Sequence, residues 1–108
     1  MNPKISALIT VYNGERYVAR AIDSVLRQDA PAHEVIVVDD GSTDGSSRIL
    51  ESYGDRIVTR RIKNSGVAGA KNFGIGLVTG DYVAFLDHDD VWFRNKLSVQ
   101  AKAIRRYP

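Results

Sequence analysis

Ile5-Ser6-Ala7-Leu8-Ile9-Thr10-Val11 is a short apolar run rich in β-branched residues, and it reads as a buried strand. Asn13 follows, placed to cap a helix whose Val18, Ala21, Ile22, Val25 and Leu26 fall on one face until Pro31 ends the stretch. The same succession then repeats. Glu34 to Val38 is a second strand, Asp40 and Gly41 turn the chain, and Ser42 or Thr43 caps a helix that carries Ile49, Leu50 and Tyr53 inward to a left-handed stop at Gly54. Arg56 to Ile62 gives a third strand, in which basic residues alternate with Ile57 and Thr59 as at a sheet edge with one wet face. Gly66 to Val78 is a helix with Ala70, Phe73, Gly74 and Leu77 on one stripe. Its glycines make it weak by itself and predict a very close neighbour, and Gly80 closes it. Tyr82 to Leu86 is the last and most apolar strand, and beyond Asp87-His88-Asp89-Asp90 a final helix begins at about Val91.

Strands alternating with helices four times specify an α/β fold, with three layers (α/β/α) around a mostly parallel, doubly wound sheet. Such sheets take their ligands beyond the carboxyl ends of the strands, and here Thr10, Tyr12, Asn13, Asp39, Asp40 and the acidic cluster all fall at those ends. A length of 108 residues sets one domain, and 44% hydrophobic with 26% charged residues excludes disorder, collagen and coiled coil. Fifteen Lys and Arg, 15 in all, against 13 Asp and Glu leave a net charge of +2, which gives no electrostatic ground for a nucleic-acid partner. The absence of cysteine removes disulfides, zinc-thiolate sites and thiol catalysis and suits a reducing, cytoplasmic setting; any metal is held by oxygen or by the two His. No apolar run approaches the ~18 residues of a membrane span, and the N-terminus lacks the pattern of a secretion signal, so neither is expected.

In an extended chain Asp87 and Asp89 project to one side and His88 to the other, so two carboxylates can meet one cation. Mn²⁺ or Mg²⁺ suits such all-oxygen ligation and completes its shell with water and substrate phosphates. Three Asp within the cluster repel one another unless a cation or a helix N-terminus offsets their charge. The plainer alternative, that Asp89 or Asp90 caps the last helix, needs only one of them. Asp39 and Asp40 are adjacent, so at most one faces the rim, either to accept from a nucleobase N–H or a ribose hydroxyl or merely to close an Asp-Gly turn. Lys71 can reach a phosphate as a point charge or remain solvated. His33 and His88 receive no catalytic role from their surroundings. The basic tail of Arg94, Lys96, Lys102, Arg105 and Arg106 suits a helix C-terminus and is compatible with peripheral contact on anionic lipid. Neither Gly-x-Gly-x-x-Gly after the first strand, nor a Walker A loop, nor Gly-x-Ser-x-Gly is present, which removes dinucleotide cofactors, P-loop hydrolysis and the serine-hydrolase elbow.

Four motifs in order, Ser6 to Glu15, Val37 to Asp44, Asn64-Ser65-Gly66 with Lys71-Asn72, and Phe85 to Trp92, resemble the N-terminal half of a family 2 glycosyltransferase with the GT-A fold. The resemblance runs over nearly the whole chain and implies a Rossmann-like, nucleotide-diphospho-sugar transferase sheet, truncated. It implies that Thr10, Val11 and Tyr12 line a nucleotide pocket, that Glu15 approaches the ribose or base, and that Asp40 accepts from the base. Asp87-His88-Asp89 becomes the DxD element, with Asp89 the direct ligand of Mn²⁺ or Mg²⁺ and Asp87 nearer the ribose or a metal-bound water; Lys71 and His88 border the nucleotide. The ion's role in the family is to neutralise the departing nucleoside diphosphate. The resemblance favours a UDP-sugar as donor, leaves the acceptor unnamed, and places the protein in cell-wall or polysaccharide synthesis. Thr10 stands where the family often has Pro, Lys71 where it often has Arg, and Arg94 where Pro is common.

Only residues 88–108 follow Asp87, whereas the family needs a further half for the acceptor pocket and a carboxylate general base that directs inverting attack. Residues 1–108 are therefore expected to be the donor-binding half of the domain, without the acceptor half, and to bind nucleotide without transfer. Two other readings fit parts of the pattern. An apolar strand followed by Asp-x-Asp also describes a haloacid-dehalogenase-like phosphatase with Asp87 as nucleophile, and a βα repeat with acidic strand ends describes a receiver-like signalling or binding module.

Overall fold

The computed structural model describes residues 2–107. Four strands, β1 (Ile5–Val11), β2 (Glu34–Asp39), β3 (Val58–Arg61) and β4 (Tyr82–Asp87), alternate with helices α1 (Val18–Leu26), α2 (Ser46–Glu51), α3 (Gly66–Ile75) and α4 (Lys96–Arg106). All strand pairs are parallel and the order across the sheet is β3-β2-β1-β4. The chain thus winds from β1 outward through β2 to β3, then crosses back to place β4 on the other side of β1. That reversal creates a crevice at the carboxyl ends of β1 and β4.

All seven residues of β1 are buried, and their alternation feeds two cores. Ile5, Ala7, Ile9 and Val11 face α1, α2 and α4 and pack with Val18, Ile22, Val25, Leu50, Tyr53, Trp92 and Leu97. Leu8, with Ile36 and Val38 of β2, faces α3 through Ala70. The three-layer α/β/α arrangement follows directly. Tyr53 ties α2 to α1: its hydroxyl donates to Asp23 at 2.7 Å, and burial, then that bond and the Asp23 charge, push the phenol up to about 12.

Several local expectations differ from the structure, and one physical reason covers most of them. Asn13 does not cap α1, which starts at Val18 with Tyr17 at the cap position and no side-chain cap; neither Ser42 nor Thr43 caps α2, whose cap position is Gly45. The final helix begins at Lys96 and not at Val91, because residues 91–95 are held irregular from outside. Buried Gln28 donates through Nε2 to the Phe93 carbonyl at 2.6 Å and accepts through Oε1 from the Leu97 N–H at 2.9 Å, while the Trp92 N–H donates to Ser24 Oγ. Capping is thus supplied across the fold instead of along the chain. β4 is also less enclosed than its composition suggests. Among the described residues it pairs only with β1, and Phe85 and Tyr82 are exposed. β3 lies at the opposite edge as its pattern indicates, but it is shorter than Arg56 to Ile62 and has no wholly wet face: Val58 packs toward α3, and exposed Arg61 reaches back to Asp39.

The close approach required of the glycine-rich helix is found at Gly74. A Cβ there would stand 2.5 Å from Leu8 Cδ1 and 2.9 Å from Cδ2, inside the α3-side core. Gly74→Ala is therefore expected to destabilise the fold by about 1–3 kcal/mol through overpacking, read as a lower denaturation midpoint with unchanged slope. A variant as stable as the parent would contradict this packing.

Candidate functional site

The parallel register brings the strand ends together. Thr10 pairs with Asp87 across β1 and β4, and Val11 pairs with Asp39 across β1 and β2, so the polar endings share one edge of the sheet. Beyond Asp87 the chain does not continue extended. The Asp90 N–H donates to the Asp87 carbonyl at 3.1 Å, closing a tight turn with His88 and Asp89 at its corner. This turn gathers three carboxylates, those of Asp87, Asp89 and Asp90, with oxygens within 4.8 Å of one another. Asp90, which the extended-chain argument leaves out, joins the pair it selects. The capping alternative for Asp89 and Asp90 does not hold, since α4 starts at Lys96 with Asn95 at its cap position.

The rim acids fall into two groups. Asp39, 2% exposed, accepts from the Ser42 N–H at 2.9 Å, from Ser47 Oγ, and from Arg61 Nη1 at 3.0 Å. Burial acts to raise its carboxyl, but the hydrogen bonds from Ser47 and Ser42 and the Arg61 guanidinium outweigh it and hold the group below the usual carboxylate range. Asp40, 3% exposed, turns to the opposite face and accepts from the backbone N–H of Ser65 at 2.8 Å and of Gly66 at 3.0 Å, capping α3 from β2. Glu15 accepts from the Gly45 N–H at 3.0 Å, at the start of α2. Asp44 accepts from the N–H groups of Ser46 and Glu15. By contrast, among the described residues no hydrogen bond or ion pair reaches the carboxylates of Asp87, Asp89 and Asp90, all of them exposed. Three exposed oxygen donors at this spacing, without a softer ligand among them, fit a hard divalent cation such as Mn²⁺ or Mg²⁺.

The remaining predicted residues are placed unevenly. Thr10 is buried beneath the crevice on the α3 side, and Tyr12 is exposed at its lip. The Val11 side chain lies in the α1-side core and its carbonyl accepts from the Asp40 N–H. Lys71 extends from α3 over the Phe85 ring, Nζ 5.3 Å from the centroid. With Phe85, Asp87, Asp90 and Trp92 it lines a shallow groove of about 290 Å³, so one cation and two of the three carboxylates share a wall. The His88 ring is half-buried against Gly14, where a Cβ would approach His88 Cδ2 to 2.5 Å. Sequence reasoning missed Ser46 and Gln28, small or neutral residues whose spacing carries no signal, and gave Ser42 a capping role in place of its bond to the Asn13 N–H.

The profile of the family described as glycosyl transferase family 2 matches residues 6–108. An uncharacterised glycosyltransferase of Rickettsia typhi is 41% identical over 105 residues, covering 97% of this chain and 33% of that protein. A Bacillus subtilis protein provisionally named a teichuronic acid biosynthesis glycosyltransferase is 43% identical over 102 residues, 91% of this chain and 40% of its own length. Among solved structures, Staphylococcus aureus TarS in complex with UDP superposes with a TM-score of 0.88 at 30% identity, over 96% of this chain and 32% of that one. A mannosyltransferase of Pyrobaculum calidifontis in complex with GDP-Man and Mn²⁺ gives 0.75 at 26% identity, over 97% and 32%. The chain thus spans about a third of the length of these relatives.

The lowered carboxyl of Asp39 makes part of the stability acid-sensitive. A group depressed in the folded state contributes above its unfolded value, near 3.8, and that contribution is lost as the pH falls through the folded value. Asp39→Asn is expected to lower Tm by roughly 5 °C or more at pH 7, with the gap to the parent closing as the pH falls below the unfolded value. A gap that stays constant with pH would remove the charge from the account.

Proposed function

Because the chain belongs to glycosyl transferase family 2, we propose that it holds the donor in transfer of a sugar from a nucleoside-diphosphate sugar to an acceptor hydroxyl. The observation that carries this reading is the cluster of Asp87, Asp89 and Asp90, whose carboxylates form no ion pair or hydrogen bond among the described residues, at the crevice where the sheet reverses direction. A divalent ion held there, on Asp89 and Asp87 with Asp90 beside them, would neutralise the diphosphate as it leaves the sugar. The chain's own residues orient the rest of the donor. Lys71 faces the same groove and adds a point charge for a phosphate oxygen, while its stacking on Phe85 limits where the ammonium can go. Tyr12 presents an exposed ring at the lip for a nucleobase. His88 packs on Gly14, and Thr10 lies beside Asp87 in the strand register, so both border the donor side of the rim. Asp40, whose carboxylate is held by the backbone N–H groups of Ser65 and Gly66 and by Ser65 Oγ, would meet a base N–H only by exchanging one of these bonds, and Glu15 lies toward the ribose while it steadies the start of α2.

UDP-sugars are the favoured donors, since the TarS structures, described as complexes with UDP and UDP-GlcNAc, superpose more closely than the GDP-Man complex. A cell-surface polymer is the favoured acceptor class, by analogy with the teichuronic acid relative. Attack by the acceptor inverts the anomeric centre, with the general base supplied outside residues 1–108. The phosphatase and receiver readings are set aside by the family membership; a receiver, in addition, needs its acid pair at the end of β1, where Thr10, Val11 and Tyr12 stand.

Titration with UDP, GDP and TDP, with and without Mn²⁺, tests the site. UDP affinity is expected to rise with Mn²⁺ and to fall about tenfold or more in Asp89→Ala with Tm unchanged. Affinity indifferent to both metal and mutation would overturn the assignment. The polypeptide of residues 1–108 alone is expected to bind without releasing UDP from UDP-sugars over hours, and steady turnover by it would place the base inside this segment.

A further inference from the structure

Between the ends of β1 and β2 the two loops exchange hydrogen bonds in both directions. The N–H groups of Asn13, Gly14 and Glu15 donate to Ser42 Oγ at 3.0 Å, Ser46 Oγ at 3.0 Å and Asp44 Oδ2 at 3.2 Å. In return, the N–H groups of Thr43 and Gly45 donate to Asn13 Oδ1 at 2.8 Å and Glu15 Oε2 at 3.0 Å. Ser42 and Ser46 are buried, so these serines face inward to serve another segment's backbone. Asn13 is the one non-glycine residue in the left-handed region among the described residues, at φ 50°. Asn tolerates that conformation better than most residues, and here its carbonyl oxygen also supplies the return bond. The conformation delivers Gly14 against the His88 ring, at the corner of the turn that carries the carboxylates. The loop therefore touches the Ser42–Ser46 segment on one side and the acidic turn on the other.

Resting on the donor-binding reading above, we propose that Asn13 is a positioning residue, with Ser42 and Ser46 as its supports. Its left-handed turn, locked by bonds to the β2–α2 loop, seats Gly14 on His88 and so fixes Asp87, Asp89 and Asp90 relative to the nucleotide side of the rim. It touches no reacting atom. Its effect reaches the ligand through the relative placement of two half-sites, and a small displacement of either weakens a ligand that spans both.

The test uses the full chain with UDP and Mn²⁺ as probes, reading affinity by calorimetry and folding by Tm. Asn13→Gly keeps the backbone conformation and removes the acceptor; Asn13→Asp keeps both and serves as the conservative rescue. Asn13→Gly and Ser42→Ala are each expected to weaken Mn²⁺-dependent UDP binding about tenfold and to raise the Mn²⁺ concentration needed for half-saturation, with Asn13→Asp within about threefold of the parent. Combined, the two substitutions should cost less than the product of their separate effects, because each breaks the same lock. Variants that lose Tm yet bind UDP and Mn²⁺ as the parent does would reduce the lock to a stability device and overturn the proposal. So would additive effects, or an Asn13→Asp no better than Asn13→Gly. Should Asn13→Gly fail to fold, Ser42→Ala alone gives the same reading through Mn²⁺ affinity. A parent that binds no nucleotide under any condition would instead defeat the donor-binding reading, and this inference with it.

Discussion

Burial of β1 on both faces is the constraint from which the rest of the structure follows. Its seven residues leave no side open to water, so the strand must lie between two partners and under two layers of helix. With side-chain period two, a slip of one residue would send Leu8 into the α1-side core and Ile9 toward α3, reversing both contacts. Register is therefore set by packing. Because the pairing is parallel, that register also aligns the carboxyl ends of β2 and β4 with that of β1. The candidate site sits where it does because the core admits only one arrangement of β1.

This also explains what the sequence made legible. Strand and helix order, the three layers, the edge position of β3 and the tight approach at Gly74 are consequences of hydrophobic period and residue size, which are local and additive along the chain. Helix starts are a different kind of information. α2 draws on Glu15, α3 on Asp40 and α4 on Gln28, each supplied from a distant segment. A cap residue beside its own helix can be read from spacing; one that arrives through the fold cannot. Asn13, Ser42 and Thr43 have the right chemistry for caps, and the structure spends that chemistry on cross-loop bonds.

The acidic cluster was legible in composition and only partly in geometry. Treating residues 87–89 as extended pairs Asp87 with Asp89 correctly, yet for a reason the backbone does not obey, since the chain turns immediately after β4. The turn, unmarked by any Gly or Pro, is what adds Asp90. Alternation likewise separates neighbours within β1: every second side chain faces the α1-side core, and Val11 belongs to that set with Ile9 and Ala7.

The distribution of hydrogen bonds around the rim gives the site its chemical meaning. Asp39, Asp40, Asp44 and Glu15 show that this fold has ample donors at hand and uses them: serine hydroxyls, backbone N–H groups and a guanidinium satisfy every one. A basic residue lies close to the other three acids too, Lys71 on the same groove, but its ammonium rests over Phe85 and makes no ion pair with them. A surface under selection for stability alone would separate or pair three like charges held within 4.8 Å of one another. Left together and open, they stand at the place where the sheet topology opens a crevice. The backbone turn that carries these acids is packed at His88 against Gly14, so their spacing is set by the fold and not by bonds among the side chains.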